Sequence, residues 1–144
     1  MYAKGINMKS YDDCIIFLLA KAYQKAHGDF KKRLHSYGLT PIQHLVLEAL
    51  WDEDGLSVGD IGKRLVFDGA TLSGVLDRLA AGDWVSKRAD MADKRMLCIC
   101  LTRKSKDLKA ELSAVRNKTN EDLMAPFTLE EKILLKRLLR DIQT

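Results

Sequence analysis

Apolar residues recur at helical spacing along most of this chain and change to strand spacing only between Trp84 and Leu101. The run from Cys14 to Ala20, continued by Ala22, Ala26, Phe30 and Leu34, predicts one long first helix. Ile15, Leu18, Leu19 and Ala22 stripe it, yet Ile16, Phe17 and Tyr23 make the rest of its first half apolar too, so it needs partners on several sides. Thr40 as N-cap, Pro41 at the first position and Gln43 behind them start a second helix, with Ile42, Leu45, Val46, Ala49 and Leu50 as its expected core face. Asp52 to Gly55 turns the chain out of it. Ser57 with Asp60 is a capping-box pattern for a short third helix bearing Val58, Ile61 and Leu65. After a break at Val66-Phe67, Asp68 caps a fourth helix whose Leu72, Val75, Leu76 and Leu79 face inward.

Trp84, Val85 and Ser86 then run into Lys87 and Arg88, Asp90 to Arg95 carry a turn, and Met96 to Leu101 is an unbroken apolar run of strand length. Beyond it Leu108, Leu112 and Val115 stripe a helix, and after Pro126 the last helix carries Leu129, Ile133, Leu134, Leu138, Leu139 and Ile142. Two short helices, a strand, a charged turn and a returning strand are the order of a winged helix-turn-helix. The expected fold is therefore mainly α with a small β-hairpin wing, one domain over residues 1–144. Residues 39–102 are expected to form a DNA-binding lobe, and 10–36 and 103–144 to supply dimerisation helices that cover each other's surplus apolar surface.

Charge sharpens this picture. The chain carries +4 in all, but from Trp84 to Lys109 eight basic residues stand against three acidic ones, so this segment holds +5 and the remainder −1. A local basic excess is the footprint of phosphate contact, which makes Lys87, Arg88, Lys94 and Arg95 candidate contacts to double-stranded DNA. On the predicted fourth helix Thr71, Gly74 and Arg78 share a line opposite the core face, with Ser73 beside them. Small or hydrogen-bonding side chains there let the backbone approach a groove while Arg78 reaches a phosphate or a guanine.

At these residues the chain resembles the MarR family of bacterial transcriptional regulators. Asp93-Lys94-Arg95, five further residues and Leu101-Thr102 match that family's wing signature DxRxxxxxLTxxG, with Ser105 where glycine is usual. LTPIQ at 39–43, DGLSVGDIGKRL and GATLSGVLDRLAAGDWV follow the family in order and spacing, so the resemblance spans essentially the whole chain. It implies that Arg95 enters the minor groove, that Asp93 helps hold it, and that the helix bearing Thr71, Ser73, Gly74 and Arg78 lies in the major groove. It also implies a homodimer on a pseudo-palindromic operator and repression by occluding polymerase. A small aromatic effector is expected between the dimerisation helices and the DNA-binding lobe, with Phe30, His44 and Trp51 as its candidate lining. Read as residues alone, Phe30 and Trp51 are more often simply core.

The remaining chemistry is sparse. Cys98 and Cys100 share one strand face, and a lone C-x-C reads as buried thiols rather than as a metal site. Cys14 is the candidate redox thiol, because a peroxide-sensing branch of the family carries a reactive cysteine near the start of its first helix. Counting back from Gly38-Leu39-Thr40 puts that position at Ile16, about 200° around the helix from Cys14, so Cys14 is expected in the core. Thiol sensing is thus the alternative function, together with a winged-helix module that docks protein instead of DNA. His27 and His35 lie on one helical side without a Cys, Asp or Glu at ligand spacing, so no metal and no cofactor are expected. The chain has no phosphate-cradling glycine loop, nucleophile elbow or spaced acid pair, so an enzyme is not expected. CIIFLLA is far shorter than the ~20 residues of a membrane span and lacks a signal-peptide cleavage site after it, so the expected location is the cytoplasm.

Overall fold

A computed structural model describes residues 9–65 and 67–144. The long first helix, α1, spans Ile15–Leu34 and passes through a short 3-10 turn, His35–Tyr37, to Gly38 in the left-handed conformation at φ 69°. Helix α2 (Pro41–Asp52) begins as its capping signals predict: Thr40 accepts from the Gln43 amide, and the Gln43 side chain accepts from the Thr40 amide at 2.9 Å. Helix α3 (Val58–Arg64) has only half of the expected box, since the Ser57 hydroxyl accepts from the Asp60 amide at 3.1 Å with no reciprocal bond. Helix α4 (Gly69–Ala81) is capped by Asp68. Part of the break expected before it, Val66, lies outside the described residues.

The wing is a sheet of three strands where a hairpin was expected. Strands β2 (Val85–Ala89) and β3 (Leu97–Leu101) pair antiparallel, with Lys87 opposite Ile99, and a two-residue strand β1 (Leu56–Ser57) adds to the free edge of β3. The order β1-β3-β2 makes β3 the centre of the sheet. Two residues carry no alternation of their own, which is why β1 has no sequence signature. Helices α5 (Arg103–Asp107), α6 (Lys109–Met124) and α7 (Leu129–Asp141) complete the chain.

The core gathers Leu34 from the end of α1, Val46, Leu47 and Leu50 from α2, Ile61 from α3, Leu72, Leu76 and Leu79 from α4, Ile99 from β3 and Leu112 from α6, each 2% exposed or less. One expectation on α2 is overturned: Leu45 is exposed at 44%, and Leu47 takes its place inside. The apolar run Leu45-Val46-Leu47 reaches both sides of the helix: the buried side is the one through His44, Leu47 and Leu50, and Leu45 lies about 160° around the helix from Leu47.

The chain leaves α4 through a tight turn. Asp83 sits at φ 61°, and a Cβ at Gly82 would come within 2.9 Å of Trp84 Cδ1, so only glycine fits there. Trp84 is buried and its carbonyl accepts from the Thr102 amide and from the hydroxyl of fully buried Ser105. This explains the departure from the wing signature at position 105, where a hydroxyl replaces glycine and finds an acceptor at once. The Ser105 carbonyl in turn accepts from Trp51 Nε1 at 3.1 Å, which fastens α5 to α2. By contrast, no residue of α7 is buried, and on α1 only Leu34 is. Ile15, Ile16, Leu18 and Tyr23 at one end of the chain, and Leu129, Ile133, Leu134, Leu138 and Ile142 at the other, stand exposed at 43% or more.

Candidate nucleic-acid interface

Helix α4 presents its outer face because its inner one is spent on Leu72, Val75, Leu76 and Leu79, all buried. Asp68 accepts from the Thr71 amide at 2.7 Å, and the bonds from Thr71 hold its carboxyl below the usual carboxylate range. Thr71, Ser73 and Arg78 are exposed and Gly74 is half-buried, so the structure brings these four predicted residues to one surface. Nothing inside the protein requires the glycine, since a Cβ at position 74 would meet open space. Asp77, which sequence reasoning passed over, lies on the same helix and forms an ion pair with Lys87 of β2. That pair braces the wing against α4, and it engages a lysine otherwise counted among the phosphate contacts.

The wing tip is built from two carboxylates. Asp90 Oδ1 accepts from the amides of Ala92 at 2.7 Å and Asp93 at 3.2 Å, and Asp90 Oδ2 accepts from the Cys98 thiol at 3.3 Å. These bonds, the Ala92 amide first, pull the Asp90 carboxyl below its ordinary range. Asp93 Oδ1 accepts from the Arg95 amide at 3.1 Å and lies 3.6 Å from Arg95 Nε, while the Arg95 side chain is 95% exposed. The expected holding of Arg95 thus falls to Asp93 alone; Asp90 shapes the turn. Arg88 and Lys94 are exposed beside it. Lys104, part of the basic exit, lies 4.1 Å above the Trp84 ring and donates to the Gly82 carbonyl, so it serves the fold.

Phe30, His44 and Trp51 do come together. His44 is 1% exposed, and its ring meets Phe30 at 5.0 Å and Trp51 at 5.7 Å, both edge to face. Beyond it Glu48 pairs with Arg116 of α6 at 2.6 Å, and Glu48 Oε1 stands 3.4 Å from His44 Nε2 without a hydrogen bond to it. Burial first, and the Arg116 cation second, push the His44 pKa down to about 4, so the ring is neutral. A separate open cavity of about 430 Å³ lies between α1, α2 and α4. Its lining includes His27, Lys31 and Gln43 as well as Thr71, Gly74 and Arg78 of the groove face.

The cysteine expectations need correction. Cys14 is exposed at the N-cap of α1, where the apolar first half of the helix finds little cover among the described residues, and Cys98 and Cys100 are half-buried on the outer face of β3 rather than in the core. Among the described residues no cluster of three or more His, Cys, Asp or Glu side chains is arranged to hold a metal ion. No helix among them is long and apolar enough to cross a membrane.

The MarR family model matches residues 37–96, from the turn before α2 to the wing. The transcriptional regulator TtmR of Methylorubrum extorquens is 36% identical over 124 residues, covering 86% of this chain and 63% of that protein, so the chain spans under two thirds of TtmR's length. The regulator MgrA of Staphylococcus aureus is 37% identical over 105 residues, 72% of this chain and 71% of MgrA. Among solved structures, that of Bordetella bronchiseptica BpsR, whose DNA binding is regulated by 6-hydroxynicotinic acid, superposes with a TM-score of 0.87 at 27% identity. The match covers 95% of this chain and 98% of BpsR.

His44 generates a prediction about stability. Its folded-state pKa of about 4 lies below the ordinary histidine value of 6.5, so as pH falls the unfolded chain takes up this proton first. Stability is therefore lost progressively between about pH 6.5 and pH 4, by up to roughly 3 kcal/mol from this one group. Urea midpoints measured across that window should fall for the wild type and stay nearly flat for His44→Phe, which keeps an aromatic ring between Phe30 and Trp51.

Proposed function

The chain belongs to the MarR family of transcriptional regulators, and on that premise we propose that it is a homodimeric repressor that grips a pseudo-palindromic operator in double-stranded DNA. The observation that carries this reading is the wing tip. Arg95 is almost fully exposed, yet its backbone and its guanidinium both lie against Asp93, so a cation is aimed outward at little ordering cost. In this reading Arg95 enters the minor groove, where negative potential is concentrated, with Arg88 and Lys94 on the flanking phosphates. Thr71, Ser73, Gly74 and Arg78 meet base edges in the major groove. Lys87 and Asp93 act indirectly, the first bracing the wing and the second aiming the arginine.

Residues 39–102 form the DNA-binding lobe, and the terminal segments 10–36 and 103–144 form the dimer. The exposed apolar residues of α1 and α7 support this, since they are surplus in one chain and self-complementary in a pair. Release from DNA is assigned to a small aromatic acid. BpsR responds to such a molecule, and the cavity between α1, α2 and α4 offers cationic Lys31 and Arg78 at a place where occupancy touches the groove face itself. Phe30 of α1 with His44 and Trp51 of α2 forms the second candidate lining. A second reading, thiol sensing through Cys14, is favoured by one observation, the exposure of that residue at the first turn of α1. The proposed location is the cytoplasm, with the DNA.

Four outcomes follow from these assignments. Replacing Leu134 and Leu138 with glutamate should give monomer or unfolded protein by sedimentation, with DNA affinity lost together with the dimer, because two linked half-sites are needed. A well-folded tight dimer would move the interface elsewhere. In salt titrations on a duplex from its own promoter region and on a scrambled one, Arg95→Ala should weaken binding to both and lower the slope of log K against log salt by about one unit per subunit. Thr71→Ala and Ser73→Ala should keep that slope and lose about 1 to 3 kcal/mol of preference for the operator. If neither happens, the chain docks protein and not DNA. Peroxide should leave DNA binding intact; release by peroxide that Cys14→Ser abolishes would put thiol sensing first.

A further inference from the structure

We propose that Cys98 is a positioning residue for the wing, the outer end of a relay that sets where Arg95 points; its importance for DNA rests on the reading of Arg95 given above. The relay is contiguous. The Cys98 thiol donates to Asp90 Oδ2, Asp90 Oδ1 takes the Ala92 and Asp93 amides, and Asp93 Oδ1 takes the Arg95 amide and faces its guanidinium. The turn these groups span is closed at its base by the Asp90 amide on the Met96 carbonyl at 2.9 Å, and inside by the Met96 amide on the Asp93 carbonyl at 3.0 Å. Cys98 stands just beyond that closure, on the central strand, where pairing with Arg88 on one side and Ser57 on the other fixes its backbone.

The thiol is needed because Asp90 is a short side chain near solvent. With both oxygens free it rotates between water and the two amides. A fixed donor on Oδ2 restricts that rotation and leaves Oδ1 directed at Ala92 and Asp93. Ala89 to Arg95 contains no other side-chain donor that the structure places on Asp90. The bond to Asp90 also pushes the Cys98 thiol pKa up, so the group stays a protonated donor at neutral pH and is a poor nucleophile. That separates Cys98 from the exposed Cys14: the first is a hydrogen-bond donor in the wing, the second a free thiol at a helix start.

The test combines a measurement without DNA and one with it. Amide hydrogen exchange by NMR on the DNA-free protein should show the Ala92 and Asp93 amides exchanging about tenfold faster in Cys98→Ala, the loss expected for one hydrogen bond to a charged group. Cys98→Ser, which keeps a donor, should stay within about twofold of wild type, and Asp90→Ala should match or exceed the alanine variant. Affinity for a duplex from its own promoter region should fall about fivefold in Cys98→Ala and be restored in Cys98→Ser, with the Arg95-dependent salt slope reduced only in the former. Unchanged exchange in Cys98→Ala overturns the relay whatever the DNA result. Faster exchange with full DNA affinity keeps the relay as architecture and overturns its role in binding, while the Arg95 contact itself stands or falls with Arg95→Ala.

Discussion

The Trp84 carbonyl is the point on which the lobe closes. It lies where the chain leaves α4 for the wing, and it accepts from Thr102 and Ser105 where the chain leaves the wing for α5. One acceptor thus ties the entrance of the sheet to its exit, and the Ser105 carbonyl passes the restraint to Trp51 on α2. Because a buried carbonyl with no partner is costly, the two ends of the hairpin cannot separate without exposing it. The register of β2 on β3 follows from that closure, with Val85 opposite Leu101, and so does the height at which the wing tip stands above α4.

Charge counts along the chain overstate what the surface presents. Of the basic residues in and after the wing, Lys87 is engaged by Asp77, Lys104 is seated over Trp84 and on the Gly82 carbonyl, and Arg103 pairs with Asp107. Arg88, Lys94 and Arg95 are exposed on the wing, and Lys106 and Lys109 are exposed beyond it. The charge of the wing itself is therefore narrower than the composition implies, and it gathers near the turn that Asp90 and Asp93 shape. On the proposed reading, three exposed wing cations supply attraction and a nearly neutral helix supplies close fit, which places attraction and discrimination in different elements.

Much of the fold was legible because local rules and tertiary structure agree here. Thr40 and Asp68 cap the helices that their neighbours' periodicity predicts, and the apolar positions of α4 are the buried ones. The failures have physical causes. Strand β1 is too short to have a period and exists only because β3 offers it an edge. Leu45 and Leu47 are equally apolar, so only packing against α1 and α4 could choose between them. Asp77, Asp90 and Cys98 act through partners about eight or ten residues away in sequence, and a spacing of that kind has no meaning until the sheet has paired. For Cys14 the reasoning failed because helical angle alone assigned it to the core, on a helix of which only Leu34 is buried.

Helix α7 has a consequence for the life of the molecule outside the complex. Thirteen residues with none buried make a helix that is marginal in water by itself, so its order depends on whatever covers Leu134 and Leu138. On the proposed homodimer, a freshly translated copy that has not met its mate exposes a fraying, leucine-rich helix, the kind of segment that degradation machinery and chaperones engage first. Turnover on that reading falls on unassembled chains rather than on mated ones. The level of such a regulator is self-limiting from below, since dilution both separates the subunits and shortens their lifetime.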